Sequence, residues 1–264
     1  MDIFLILGII IGFTAVVGGM LLKGASISVL LNPEAAMVIF VGTFAVVMNS
    51  FPKKEFLNIP KVIGSLFREK DKEDPCSIIN EIVELAQASR KDGILSLESV
   101  TQNMKNKFMR KGLEMVVDGI EQEKIEEILS IEIDSMEERH RICASIFSTA
   151  GSSSPTLGVL GAVIGLIGAL GNLNDVDKLG EMIASAFVAT LYGIFFGYVI
   201  CHPFASRLKR KSYDEISNMH IILEGVLAIQ TGENPKNIEN KLAGMLGPKD
   251  RIRLNKSSMK SEGK

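Results

Sequence analysis

Gly158, Gly161, Gly165 and Gly168 recur at spacings of 3, 4 and 3 within an uncharged apolar run, SSSPTLGVLGAVIGLIGAL, at residues 152–170. On a helix these glycines fall within about 80° of one another. A second run repeats the pattern, with Ala186, Thr190, Gly193 and Gly197 sharing one face. Glycine costs a helix in water about 1 kcal/mol against alanine, so a glycine face needs a use. In lipid that use is close approach, because no hydrophobic force draws helices together there. The simplest arrangement packs the two stretches on each other. The chemistry they could add is ion passage, with Thr190 supplying a hydroxyl. Thr14, Thr43 and Asn49 are among the few other interior polar groups, and no Asp, Glu, Lys or Arg lies inside the apolar runs. An ion at depth usually needs an ionisable or coordinating group. Either the chain moves nothing, or a carboxylate comes from another chain running along the small-residue surface.

Other chemistry is not signalled. The sequence contains no GxxxxGK[ST], HExxH or GxSxG, so nucleotide, zinc-protease and serine-hydrolase sites are not expected. His140, His202 and His220 lie far apart, and Cys76, Cys143 and Cys201 show no CxxC spacing. Neither a zinc site nor a disulfide framework follows. The expectation is a protein that is not an enzyme and carries no cofactor. A net charge of −2 offers no basic surface for nucleic acid.

The elements that must carry these faces are apolar and segregated. The 264 residues are 47% hydrophobic and 23% charged, with a mean hydropathy of +0.25. Uncharged runs cover 3–22, 35–51, 142–174 (most apolar at 157–170) and, with His202 as its one basic side chain, 182–206. Each is long enough to span a bilayer. The fold class expected is an all-α polytopic membrane protein with four transmembrane helices and a helical cytoplasmic domain. The first run lacks the basic start of a signal peptide and is too long for one. Lys53, Lys54 and Lys61 follow the second run, and Arg207, Lys209, Arg210 and Lys211 follow the fourth. This bias places both termini and residues 52–150 in the cytoplasm. The divisions are 1–51 (first two spans), 52–150 (cytoplasmic helices), 151–206 (last two spans) and 207–264 (cytoplasmic tail).

In the cytoplasmic part, EFLNIPKVIGSLF (55–67) puts Phe56, Ile59, Ile63 and Phe67 near one face. It suits an interfacial amphipathic helix or a core-packed one. Asp74-Pro75 marks a helix start, and Ile78, Ile82, Leu85 and Ala86 give its apolar stripe, closed at Gly93. A second helix is expected from Ser96. A third, from about Glu121, should run unbroken into the third span. Residues 255–264 have the composition of a disordered tail.

These residues, in this order, resemble the stator A subunits of the bacterial flagellar motor, the MotA/PomA family. SPTLGVLGAVIGLIGAL resembles the family's third span, of form P-x-x-G-x-x-G-x-x-x-G-L. ATLYGIFFGYVICHPFA resembles its fourth span, ASRKDGILSLE its cytoplasmic motif, and GENPKNIENKLAGML its C-terminal segment. The resemblance implies an inner-membrane ring of five copies around two copies of a MotB-like, single-span, peptidoglycan-binding partner that supplies a membrane aspartate. It implies ion-driven rotation of that ring and contact with the rotor switch protein FliG. Matching motif to sequence, Pro155 and Pro203 are the coupling prolines, and Thr190 faces the partner aspartate. Arg90 and Glu98, and with them Glu132, contact the rotor. The small-residue face would border the shared pore. Sodium-using members place a Thr where this chain has Ala162, so H⁺ rather than Na⁺ is the expected ion.

Each position also has a plainer role. Pro155 could simply start a helix, Pro203 end or kink one, and Thr190 bond the carbonyl four residues back. Arg90 and Glu98 also suit the dipoles of the helix ends they occupy. The other machine of this general kind is an ExbB/TolQ-like channel subunit energising an outer-membrane process, which usually has three spans.

Overall fold

The computed structural model describes residues 3–24, 26–67 and 73–261, the last five as backbone. All regular structure among the described residues is helical. Contacts divide the chain into two compact units, bounded Met1–Lys70 with His140–Arg210, and Asp71–Arg139 with Lys211–Lys264.

In the first unit lie the apolar segments of four helices long and apolar enough to cross a membrane: Ile3–Leu22, Ile27–Ser50, Gln122–Leu170 and Val176–Gln230. The first matches the sequence expectation residue for residue. The second begins earlier than 35, in a 3-10 turn at Ile27–Leu30 followed by a helix from Pro33. The reason is local: the Asn32 side chain accepts from the Ala35 N–H, and Pro33 sits at N1, a start that the search for uncharged residues passed over at Glu34. The third helix is continuous over 49 residues with Pro155 inside it. Continuity agrees with the sequence reading, whereas Pro155 as a helix start does not. The fourth likewise runs on past Pro203, through a π-helical segment at Phe195–Cys201, so Pro203 does not end it.

Residues 53–67 form two pieces, Lys53–Phe56 and Ile59–Phe67. Leu66 is fully buried with Phe147 and Phe204, and Phe56 and Ile59 pack near Val47, Ile146, Ala150 and Cys201. This is the core-packed alternative, with the stripe rotated: Ile63 faces out and Leu66 faces in.

The second unit is built on Pro75–Asp92, whose Ile78, Ile82, Leu85 and Ala86 are buried as their spacing requires. Gly93 ends it at φ +87°, a conformation that favours glycine. Asp74 precedes the helix without capping it; its carboxylate pairs with Arg253 instead. The helix expected from Ser96 is a 3-10 turn, Ile94–Leu97, and a single α-turn, Glu98–Thr101. The longer helix is Lys107–Val117, capped by Asn106, whose side-chain oxygen accepts from the N–H groups of Phe108 and Met109. The tail is also corrected. Residues 255–261 belong to the helix Pro248–Ser261, and 262–264 lie outside the described residues. Composition missed the anchors: Leu254 is fully buried, and the Arg251 guanidinium donates to the carbonyls of Ala243 and Gly244.

Candidate ion-coupling site

The third and fourth spans meet along a seam of small residues. A Cβ built on Gly161 would lie 2.8 Å from the Cβ of Ala189, and one on Gly165 would lie 2.9 Å from that of Ala186. On Gly158 it would meet the backbone of Ala189, Thr190 and Gly193 within 3.3 Å, and on Gly168 the Met182 side chain at 2.5 Å. From the other side, a Cβ on Gly193 would lie 2.6 Å from the Ser154 carbonyl oxygen and 2.9 Å from the Gly158 Cα, and one on Gly197 would lie 2.6 Å from the Gly151 carbonyl oxygen. Thus Gly158, Gly161, Gly165, Gly168, Ala186, Gly193 and Gly197 all line one seam within a single chain, with Ala189, Met182 and Pro155 filling the space at Gly161, Gly168 and Gly197. This is the packing of the two spans on each other that the spacing also allowed. The exposed residues of the third span are large and aliphatic instead, Val159, Val163, Ile164 and Ile167 among them.

Thr190 stands at the edge of this seam, half-buried. Its hydroxyl Oγ1 lies 3.4 Å from the Ala186 carbonyl and 3.5 Å from the Gly158 carbonyl. The bond four residues back is therefore present, and a second acceptor on the neighbouring helix lies equally near. Ala162 is half-buried one position along from Gly161 and brings no oxygen to that level.

Pro155 has no N–H, so the Gly151 carbonyl loses its partner four residues on. Gly151 lies beneath the His202 ring, and the Pro155 ring packs against Gly197 in the middle of the π-helical segment. Irregular backbone in one span thus meets irregular backbone in the other. Pro203 lies just beyond, exposed. Two seam residues escaped the sequence reading. Ser154 is completely buried and its hydroxyl has no hydrogen-bond partner, and Gly151 is buried too. The 3-4-3 spacing, continued backwards from Gly158 through Ser154 to Gly151, would have found both.

In the second unit Arg90 and Glu98 lie exposed on either side of Gly93. Arg90 is in the last turn of its helix and Glu98 in the first turn of the next, as the dipole argument also requires. Among the described residues no ion pair joins them. Leu95, between them, is 72% exposed, an apolar neighbour the charge pattern did not flag. Glu132 is less free than expected, because its carboxylate holds Lys111 Nζ at 2.5 Å. Among the described residues no group of three or more His, Cys, Asp and Glu is placed to hold a metal ion.

Comparison with known proteins fits this arrangement. Residues 6–93 match the family model described as motility protein A N-terminal, and residues 100–221 match the MotA/TolQ/ExbB proton channel family. Motility protein A of Bacillus subtilis is 44% identical over 254 residues, 96% of this chain and 94% of that protein. Chemotaxis protein PomA of Vibrio alginolyticus is 34% identical, covering 93% of this chain and 96% of its own. The flagellar MotAB stator complex from B. subtilis superposes with a TM-score of 0.89 at 45% identity, over 94% of this chain and 98% of that one. C. jejuni MotAB superposes with a TM-score of 0.88 at 31% identity, over 94% and 97%. End-to-end likeness to motility proteins, together with four spans, sets aside the ExbB/TolQ-like alternative. The chain belongs to the motility protein A (MotA/PomA) family of flagellar stator subunits.

Proposed function

We propose that this chain couples proton flow across the bacterial inner membrane to rotation of the flagellar rotor, as a five-copy ring around two copies of a MotB-like partner. Its N- and C-termini and second unit face the cytoplasm, on the strength of the Lys/Arg bias. The observation that carries the reading is Thr190. It is a hydroxyl at depth on a seam edge, within apolar runs (3–22, 35–51, 142–174 and 182–206) that hold no carboxylate of their own. The partner supplies the carboxylate that binds the ion. Neutralising that carboxylate removes a charge from the apolar interior and changes which face of the ring it favours. One elementary charge crossing the membrane releases about 2.3 kcal/mol per 100 mV, so H⁺ and Na⁺ can drive the same mechanics. The choice of ion rests on oxygen ligands. A sodium ion needs several to replace its water, and Ala162 contributes none. Swimming is expected to continue when sodium is replaced by potassium. Arrest without sodium, with the membrane potential intact, would overturn the proton assignment.

The rotor contact is electrostatic, made by Arg90 and Glu98 with FliG. Exposed charge pairs contribute about 0.2–1 kcal/mol each. Arg90→Glu or Glu98→Lys is therefore expected to weaken swimming chiefly under load. A compensating charge reversal on the rotor protein restores part of it. If no rotor reversal rescues either variant, the two charges serve only their own helix ends.

A further inference from the structure

A groove of about 620 Å³ lies between the first span and the end of the fourth. Phe4, Leu5, Ile9 and Val199 give it apolar walls, and Arg207 and Arg210 line it as well. Its shape follows from the helix register. Gly12 of the first span touches Val199, and Phe13 meets Phe195 edge to face, while Leu5 packs against the cluster that holds Phe204 and Ala205. The two helices therefore run antiparallel, in close contact at Gly12, with the groove lying between there and Phe4. The arginines stand at the Phe4 end. Along a helix, Arg207 lies about 12 Å from Val199 and Arg210 about 16 Å. Half of a ~30 Å hydrocarbon core is about 15 Å. The apolar trough thus has the length of one leaflet's acyl chains, and the guanidinium groups stand at headgroup depth.

We propose that this groove binds an anionic phospholipid, with its acyl chains along the trough and its phosphate at Arg207 and Arg210. A guanidinium fork matches phosphate oxygens in pairs, and a basic pocket between spans at the membrane surface is the expected seat for such a headgroup. Membrane orientation decides only the leaflet, which is the cytoplasmic one on the reading above. Gly8, which also lines the groove, has no atom within 4 Å of an added Cβ, so the trough has room for a chain at that point.

The test uses the full chain co-assembled with its partner. The complex is reconstituted into nanodiscs containing phosphatidylglycerol and phosphatidylcholine in equal amounts, re-extracted gently and weighed by native mass spectrometry. The complex is expected to retain phosphatidylglycerol in preference to phosphatidylcholine. Arg210→Gln should lower that preference about fivefold, and Arg207→Gln with Arg210→Gln should lower it further, at about fivefold per surface charge. Gly8→Leu, which fills the trough and leaves both arginines in place, should reduce retention of either lipid. Complex mass reports assembly in every variant. Equal retention of the two lipids, or a preference unchanged in the double variant, overturns the proposal. So does an absence of retained lipid in the unaltered complex, the result expected if a neighbouring copy covers the groove. Swimming is not the readout, so failure here leaves the ion-coupling reading untouched.

Discussion

Gly193→Ala is expected to destabilise the assembled protein and stop swimming, although it adds a single methyl group. The new carbon would lie 2.6 Å from the Ser154 carbonyl oxygen and 2.9 Å from the Gly158 Cα. Both are backbone atoms, so no side chain can rotate away, and the two spans must separate. Overpacking of this kind costs on the order of 1–3 kcal/mol. It acts on a seam whose cohesion in lipid comes from close contact alone. Gly180→Ala is the matched control. It lies on the same helix, exposed, with no atom within 4 Å of the added carbon, and removing a mid-helix glycine stabilises by up to about 1 kcal/mol. Thermal unfolding of the solubilised complex and swimming speed check both. Equal stability of the two variants would mean that the seam is looser than its distances indicate.

That seam also shows what could be read from the residues and what could not. The glycine spacing was legible, because a stripe of small residues at helical period has few uses in lipid. Its direction was not legible. The same face serves a partner helix or the next span of the same chain, and only tertiary contact distinguishes them. The spans were legible wherever charge was absent. Glu34 hid the true start of the second one: it breaks an uncharged run, yet a carboxylate in the first turn suits the helix that the Asn32-Pro33 cap begins. In the second unit the stripe from Ile78 to Ala86 sufficed for its helix. The region after Gly93 defeated periodicity, because Ser96 begins a turn and the cap that matters is Asn106. The C-terminal residues looked disordered by composition, yet Leu254, Arg251 and Arg253 anchor them. All three lie just before the polar stretch 255–264, outside its average. Among the candidate site residues, Thr190 and Pro155 were named by motif, whereas Ser154 lies on the 3-4-3 spacing but is not a glycine, so its burial is the clearer mark.

Pro155→Ala is expected to leave assembly with the partner intact, raise thermal stability and abolish swimming. A proline in a helix interior costs about 3 kcal/mol, through a missing amide and a crowded ring. Here the missing amide faces the Gly151 carbonyl, and the ring rests on Gly197 at the centre of the π-helical segment Phe195–Cys201. The two spans therefore place their weakest backbone at the same level, opposite each other, with Pro203 immediately beyond. Towards the outer ends the two spans are regular α-helix, so this level is where the pair bends most readily. Alanine supplies the amide, completes the Gly151 bond and lifts the ring from Gly197. The helix gains stability and loses its hinge. If bending at this level converts neutralisation of the partner's carboxylate into movement, a stiffer pair holds its shape while the ion passes and produces no torque. Co-purification of the partner, the unfolding midpoint of the complex and swimming are measured together. A variant that assembles, melts higher and swims normally removes the hinge and returns Pro155 to a merely tolerated irregularity. A variant that fails to assemble shows instead that the ring on Gly197 is needed for packing.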